Sequence, residues 1–225
     1  MNKESILITG SSKGLGKELA LTFARKGYYV IMHGRDEEGL EEVQKEIFRY
    51  GGNSEYIIGD LNLENTLVKL QKVAEEKDIS ILINNAGVLC PGLPFEQIPE
   101  EKIDDLLGTN LYSPIKLTQK IYPLFFKKNL GTIININSMM GLENKKLRSI
   151  ACACKWGLRG FTDSLRLESE EKNISILGVY PTRIKTRPNQ KNAMDTREVA
   201  EKIYHAYETG LDNLILDGRP RKYPE

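Results

Sequence analysis

Three glycines near the N-terminus, Gly10, Gly14 and Gly16, have the spacing of a turn that can hold a phosphate group. They follow an apolar run at residues 6–8, which predicts a buried strand, and the amphipathic pattern after them predicts a helix. Backbone N–H groups at a helix N-terminus attract anions, and glycine has no Cβ to keep a diphosphate away. An ordinary strand–turn–helix is the alternative, because the spacing differs from the usual dinucleotide-binding pattern G-x-G-x-x-G.

Alternating strand and helix patterns follow this turn and must position any functional residues. Apolar runs predict strands at 28–32, 56–58, 79–83, 132–136, 174–180 and 214–216. Helices are predicted at 36–49, with Asp36 as a cap, and at 65–76, 100–110, 112–128, 149–171 and 196–208. Strands that are apolar on both faces and separated by helices indicate a doubly wound parallel α/β sheet with helices on both faces. We expect about seven strands in a single domain over residues 1–225.

The overall composition excludes several classes of partner. The net charge of +1 over 225 residues argues against a nucleic-acid partner held by bulk electrostatics. We find no apolar run long enough for a membrane span and no secretory leader pattern. Two histidines, and three cysteines without ligand spacing, argue against a metal site. We therefore expect a cytoplasmic protein whose partner is a small molecule.

Residues of special chemistry or conformation stand at the ends of nearly all the predicted strands. They are Gly10, Arg35, Asp60, Asn84, Ser138 and Pro181. Ligands of doubly wound sheets bind beyond the carboxyl ends of the strands. This coincidence predicts one cofactor-binding cleft along that edge.

The chain resembles the short-chain dehydrogenase/reductase family over almost its full length. The matching residues, in chain order, are Thr9-Gly10-x-x-x-Gly14-x-Gly16, Asp60-Leu61, Asn84-Asn85-Ala86-Gly87, Asn110, Ser138, Lys155 and Pro181-Thr182-Arg183-Ile184-Lys185-Thr186. The resemblance implies a Rossmann-type sheet. It also implies an oxidoreductase that interconverts a carbonyl and an alcohol with a nicotinamide cofactor.

The resemblance also implies a set of cofactor contacts. The glycine turn would hold the diphosphate, Asp60 would contact the adenine, and Thr186 would lie near the nicotinamide amide. A helix cap is an equally acceptable role for Asp60 on the sequence alone. The full set of expected contacts is Gly10, Ser12, Lys13, Gly14, Leu15, Gly16, Arg35, Asp60, Leu61, Asn84, Ala86, Gly87, Lys155, Pro181, Ile184 and Thr186.

The residues after the second predicted strand indicate which nicotinamide cofactor is used. NAD needs an acidic group at this point to accept from its ribose hydroxyls, whereas the 2′-phosphate of NADP needs a cation. Gly34 stands where the acid is expected, Arg35 follows it, and Lys13 lies in the glycine turn. NADP(H) is therefore favoured over NAD(H). Asp36 weakens this preference unless its role is to cap the next helix.

Catalysis in the family that the chain resembles uses asparagine, serine, tyrosine and lysine. Asn110 would keep a water relay in place, Ser138 would orient the substrate oxygen, and Lys155 would lower the pKa of the tyrosine and hold the ribose. The tyrosine and lysine must lie four residues apart on one helix to reach the same cleft. Four residues before Lys155 stands Ala151, and no tyrosine occurs between positions 139 and 179. The expected general acid is absent.

Three explanations of Ala151 are open. A tyrosine was replaced experimentally, or the chain is a natural relative that binds the cofactor without turning it over, or a substitute donor such as a water held by Lys155 is used. Loss of a general acid typically lowers the rate ~10²- to 10⁴-fold. We therefore expect an oxidoreductase of impaired activity, and the alternative is an inactive NADP(H)-binding sensor or interaction partner.

Two further expectations concern the substrate and the assembly. By family analogy, two basic loops lie at the substrate mouth, and their residues are Lys145, Lys146, Arg148, Arg183, Lys185 and Arg187. They are compatible with an anionic substrate, but solvated loop charges are the favoured explanation. In the family resembled, the helices at 112–128 and 149–171 pair across a two-fold axis, so we expect a homodimer or homotetramer.

Overall fold

A parallel β-sheet with helices on both faces forms the centre of the molecule. The computed structural model describes residues 4–89, 92–185 and 193–219, and within them the sheet has seven strands. The strands are β1 (Ser5–Thr9), β2 (Tyr29–Gly34), β3 (Asn53–Ile58), β4 (Ile81–Asn84), β5 (Gly131–Ile136), β6 (Ile174–Pro181) and β7 (Asn213–Leu216). The helices are α1 (Gly14–Arg25), α2 (Glu37–Arg49), α3 (Glu64–Glu76), α4 (Glu100–Leu107), α5 (Ser113–Lys128), α6 (Ser149–Glu168) and α7 (Thr196–Glu208).

The strand order β3-β2-β1-β4-β5-β6-β7 confirms the doubly wound, Rossmann-type sheet predicted from the sequence. The chain builds β1, β2 and β3 outward in one direction and then returns to place β4 on the other side of β1. All six strand pairings are parallel. The carboxyl ends of β1 and β4 therefore lie side by side at the topological switch point, where such sheets bind their ligands.

Strands that are apolar on both faces separate two hydrophobic cores. In β1, Ile6 and Ile8 pack into one core with Phe23 of α1, whereas Leu7 packs into the other with Phe125 of α5. This alternation follows from the period of two along a strand. Because both faces are covered by helices, polar groups of the central strands are concentrated at the strand ends, where the candidate site lies.

The predicted element boundaries differ from the observed ones at particular places. The helix predicted at 149–171 ends at Glu168, and the strand predicted at 56–58 begins at Asn53. The helices predicted at 100–110 and 112–128 are joined by a π-helical turn, Gly108–Tyr112, in which the Ser113 amide donates to the Gly108 carbonyl. We call this segment the π turn. None of the helices in the described part of the chain has the length and hydropathy needed to span a bilayer.

Candidate active site

The glycine turn after β1 is packed too closely for larger residues. Gly10 has φ +67°, and a Cβ added there would lie 2.7 Å from the Ala86 Cα. A Cβ on Gly16 would collide with the Gly10 carbonyl oxygen. The Asn85 side-chain amide donates to the carbonyl oxygens of Thr9 at 2.9 Å and Gly10 at 3.0 Å. The turn is therefore held against the segment that follows β4.

The first turn of α1 presents its amides without a side-chain cap from the described residues. Its N-cap, Lys13, is exposed and extended and forms no side-chain cap hydrogen bond, and Gly14 adopts φ +59°. The buried Ser11 anchors the turn to β2, because its amide donates to the His33 carbonyl at 2.9 Å and its Oγ accepts from the His33 amide at 3.0 Å. Uncapped amides at a helix N-terminus suit a diphosphate. The residues present therefore fit a dinucleotide.

Arg35 and Lys13, the predicted 2′-phosphate ligands, are both exposed at this edge of the sheet. Arg35 Nη1 lies 3.6 Å from the Asp60 Oδ2. Asp36 caps α2, since its Oδ1 accepts from the Gly39 amide at 3.2 Å. The structure thus assigns Asp36 the capping role, which removes the objection that it raised against a 2′-phosphate.

Asp60 lies in the loop after β3 and is not a helix cap. The N-cap of α3 is Leu63, and Asp60 Oδ1 instead accepts from the Asn62 amide at 2.9 Å. The helix-cap alternative for Asp60 is therefore wrong. The neighbouring Leu61 is buried. Ser12, in the glycine turn, is half-buried beside Gly34 at the end of β2.

Asn84 and the residues after it join three strands. Asn84 Nδ2 donates to Asn135 Oδ1 on β5 at 2.8 Å and to Thr118 Oγ1 on α5 at 3.0 Å. The Ala86 amide donates to Thr9 Oγ1 at 3.1 Å. These buried bonds fix the spacing of β1, β4 and β5 at the switch point, as the resemblance implies for the Asn-Asn-Ala-Gly segment.

Asn110 lies in the π turn and is hydrogen-bonded on both sides of its amide. Its Oδ1 accepts from the Val88 amide at 2.9 Å, and its Nδ2 donates to the Val88 carbonyl at 3.0 Å. A Cβ on Gly87 would lie 3.0 Å from the same Oδ1. The Asn110 side chain therefore shapes the loop after β4.

Ser138 and Lys155 meet through the end of β5. Lys155 Nζ donates to the Ile136 carbonyl at 3.0 Å, and the Asn137 Nδ2 donates to the Lys155 carbonyl at 3.0 Å. Asn137 Oδ1 in turn accepts from the Ser138 amide at 2.9 Å. The Ser138 Oγ accepts from the Met140 amide at 3.2 Å, so it caps a short 3₁₀ turn and retains its own proton for donation.

Burial lowers the pKa of Lys155 from 10.5 to about 8, and the nearby Cys154 opposes this shift. Ala151 is buried in the first turn of α6, one helical turn before Lys155. Residues four apart share a helix face, so Ala151 faces the same cleft as the lysine. Asn110, Ser138 and Lys155 thus occupy elements that converge at the strand ends, and a methyl group stands where a phenol would complete the set.

The remaining predicted residues lie at the far side of the cleft. Pro181 ends β6, and Ile184 forms a single parallel bridge with Met194. Thr186 and Arg187 lie outside the described residues.

Most of the predicted basic residues that the structure describes are exposed, namely Lys145, Lys146, Arg183 and Lys185, while Arg148 is half-buried near Gly92. Within the described residues no group of three metal-ligating side chains comes together, and Cys152 and Cys154 form no disulfide.

Two residues of the site were missed by the sequence analysis. Asn137 supports both Ser138 and Lys155, and Thr9 accepts from the amides of Asn85 and Ala86. Thr9 was noted only as part of the glycine motif. Asn137 could have been found from its position, because it is a polar residue between a predicted buried strand and Ser138.

Comparison with known proteins identifies the family. The family model for short chain dehydrogenase matches residues 4–197. The chain belongs to the short-chain dehydrogenase/reductase family. Members of this family are oxidoreductases that act on small molecules with a nicotinamide cofactor.

Relatives in the family include a 3-oxoacyl reductase and a 3-hydroxy acid dehydrogenase. The chain is 32% identical over 192 residues to the 3-oxoacyl-(acyl-carrier-protein) reductase FabG of Buchnera aphidicola, covering 85% of this chain and 78% of the relative. It is 30% identical over 216 residues to the NADP-dependent 3-hydroxy acid dehydrogenase of Schizosaccharomyces pombe, covering 91% and 80%.

Solved structures share the fold closely. The bulky-bulky ketone specific alcohol dehydrogenase of Comamonas testosteroni has a TM-score of 0.89 at 27% identity, over 96% of this chain and 86% of that one. A short-chain dehydrogenase of Sphingobium yanoikuyae in complex with NADPH has a TM-score of 0.88 at 26% identity, over 94% and 87%.

Proposed function

We propose that this chain is an NADP(H)-dependent oxidoreductase that interconverts a carbonyl and an alcohol, with a compromised general-acid position at Ala151. The single observation on which this proposal rests is the convergence of Ser138 and Lys155, through Asn137 and Ile136, at the end of β5. We further propose that residues 1–225 act as one dinucleotide-binding domain.

The preference for NADP(H) rests on charge at the end of β2. Arg35 and Lys13 are exposed cations, Gly34 places no carboxylate there, and Asp36 is engaged in capping α2. The structure therefore offers two cations to a 2′-phosphate. The NADP-dependent dehydrogenase of Schizosaccharomyces pombe and the NADPH complex from Sphingobium yanoikuyae are consistent with this preference.

The residues at the strand ends divide the remaining work. A bound nicotinamide ring would supply or accept the hydride. The Ser138 hydroxyl would donate its proton as a hydrogen bond to the substrate oxygen, but it is too weak an acid to protonate an alkoxide at neutral pH. The Lys155 ammonium uses one N–H on the Ile136 carbonyl, and two donors remain for ribose hydroxyls and a water. A water in the space of the absent phenol would relay a proton from the Lys155 ammonium to the substrate oxygen, and the lysine would regain its proton from solvent.

The second candidate function is an inactive NADP(H)-binding protein that senses the cofactor or contacts a partner. Ala151 is the observation that favours it, because loss of a general acid typically lowers the rate ~10²- to 10⁴-fold. The retained Asn110, Ser138 and Lys155 favour the enzyme. Descent from an active enzyme would also preserve them.

We also propose the substrate class, assembly and compartment. The two named relatives are a 3-oxoacyl-(acyl-carrier-protein) reductase and a 3-hydroxy acid dehydrogenase, so 3-oxo acids and their thioesters are the first carbonyls to assay. The exposed Lys145, Lys146 and Lys185 would suit an anionic substrate.

We propose a homodimer or homotetramer. We propose a cytoplasmic location, with which the reduced state of Cys152 is consistent.

The deciding experiment compares the chain with Ala151→Tyr and Ala151→Phe in a panel of carbonyl reductions with NADPH. We expect Ala151→Tyr to raise the rate at least ~10²-fold, because a phenol next to Lys155 restores the general acid. Ala151→Phe fills the same space without a hydroxyl, and its rate should not rise. If the unmodified chain and both variants reduce a substrate at the same rate, the claim that the site is otherwise intact is contradicted. No turnover by Ala151→Tyr, with NADPH still bound, would favour the sensor.

A further inference from the structure

Asn62 connects the loop after β3 with the π turn. Its side-chain Nδ2 donates to Thr109 Oγ1 at 3.2 Å, and its Oδ1 lies 3.2 Å from the Ser113 Oγ, which donates. The Ser113 hydroxyl also lies 3.0 Å from the Leu61 carbonyl. Thr109 and Ser113 are buried, so the π turn and the first residue of α5 are both bonded to this loop.

The same residue is also fixed at its backbone. The Asn62 amide donates to Asp60 Oδ1 at 2.9 Å, and the other oxygen of that carboxylate lies 3.6 Å from Arg35. Asn62 also explains the glycine at position 108, where a Cβ would lie 2.6 Å from its Oδ1. A continuous set of contacts therefore extends from Arg35 to the turn that contains Asn110.

We propose that Asn62 is a positioning residue, which couples occupancy of the adenine side of the cleft to the conformation of the π turn and so to Asn110. This inference rests on the proposed NADP(H) function. When a 2′-phosphate attracts Arg35, the Asp60 carboxylate loses its cation and adjusts, and Asn62 transmits the adjustment. The Val88 contacts of Asn110 form a second, independent connection to the cofactor segment after β4.

Adenosine 2′,5′-bisphosphate separates the two connections, because it contains the adenine and the 2′-phosphate but lacks the nicotinamide half. The readout is amide hydrogen exchange of residues 108–112 with and without this probe. In the unmodified chain, we expect the probe to slow exchange there about threefold to tenfold, the equivalent of one net hydrogen bond. The relevant quantity is the difference in exchange rate between the probe-bound and the free protein. If Asn62 had only a structural role, its replacement would change the exchange rate equally in both states.

Asn62→Ala should bind the probe but lose the slowing at residues 108–112. Thr109→Val removes the hydrogen-bond partner of Asn62 and leaves the loop that contains Asp60 unchanged. It should also lose the slowing of exchange, and it provides the test if Asn62→Ala does not fold or does not bind the probe. Asn65→Ala, an exposed amide three residues along, is the matched control and should retain the slowing.

The outcomes distinguish this inference from the proposed function. If the probe binds the unmodified chain without slowing exchange in the π turn, or if the slowing persists in Asn62→Ala or Thr109→Val, the coupling is contradicted and NADP(H) binding stands. If the probe does not bind the unmodified chain, the proposed cofactor itself is contradicted.

Discussion

At the scale of single residues, the proposed preference for NADP(H) depends most on Arg35. We expect Arg35→Gln to raise the Kd of NADPH about 10- to 100-fold, because a charge-assisted hydrogen bond to the 2′-phosphate is lost. The Kd of NADH should change less than about threefold, since NADH has no such phosphate. Arg49→Gln, at the opposite end of α2, is the control. Equal weakening of NADH and NADPH would show that Arg35 contributes only to folding or general charge.

Lys155 gives a pH dependence whose sign follows from its burial. The pKa is lowered from 10.5 to about 8, so between these values the unfolded chain binds more protons than the folded chain. The Lys155 contribution to the free energy of unfolding therefore rises as pH increases from about 8 toward 10.5 and is constant below that window.

Lys155→Met should remove this rise and increase the free energy of unfolding at neutral pH by roughly 1 kcal/mol, because a buried charge is replaced by an apolar chain. Urea titrations on either side of pH 8 measure both effects, and NADPH binding by the variant should weaken. A variant less stable than the original at neutral pH would contradict this account of burial.

At the scale of secondary structure elements, the glycine turn between β1 and α1 has no room for a side chain at Gly10. Gly10→Ala should lower the free energy of unfolding by about 1 to 3 kcal/mol or more, because alanine is strained at positive φ and its Cβ meets Ala86. NADPH binding should be lost as well. Denaturant titration and cofactor fluorescence measure the two effects.

Gly160→Ala is the matched control for the glycine turn. Gly160 lies exposed in α6, and no atom of the described residues lies within 4 Å of an added Cβ, so alanine should raise the free energy of unfolding by up to about 1 kcal/mol. Equal stabilities of the Gly10 and Gly160 variants would contradict the packing described for the turn.

Element order and type could be predicted from the sequence because the strands are apolar on both faces and glycine or polar residues follow most of them. The Asp36 cap and the switch point follow from the same local rules. The π turn could not be predicted. Its i→i+5 bond depends on Gly108 fitting against Asn62 and on Asn110 bonding to Val88, which are contacts between distant segments.

The candidate site shows the same division between local and distant information. Ser138 and Lys155 are recognisable because their spacing matches a known family, yet nothing local reveals that Asn137 joins them. The role of Asp60 also required the structure, since a cap and a loop carboxylate have the same sequence pattern. Hydrogen bonds across the strand ends are set by sheet order, which periodicity alone does not give.

At the scale of the whole molecule, the π turn that leads into α5 and the helix α6 each present an aromatic side chain to solvent in the single chain. Tyr112, in the π turn before α5, is 53% exposed and Trp156 is 40% exposed. We expect these helices to pair in a homodimer, so light scattering should give at least twice 25.5 kDa. Trp156→Glu should shift the mass toward the monomer, whereas Leu130→Glu, beyond α5, should not. A monomeric mass for the unmodified chain would remove this expectation.

The central claim is that a dinucleotide with a 2′-phosphate lies along the strand ends, with its diphosphate at the first turn of α1. Parallel fluorescence titrations of the chain with NADPH and NADH test it most directly. The account predicts saturable binding with a Kd for NADPH at least ~10-fold below that for NADH. Binding of NADH as tight as that of NADPH, or no binding of either, would contradict it.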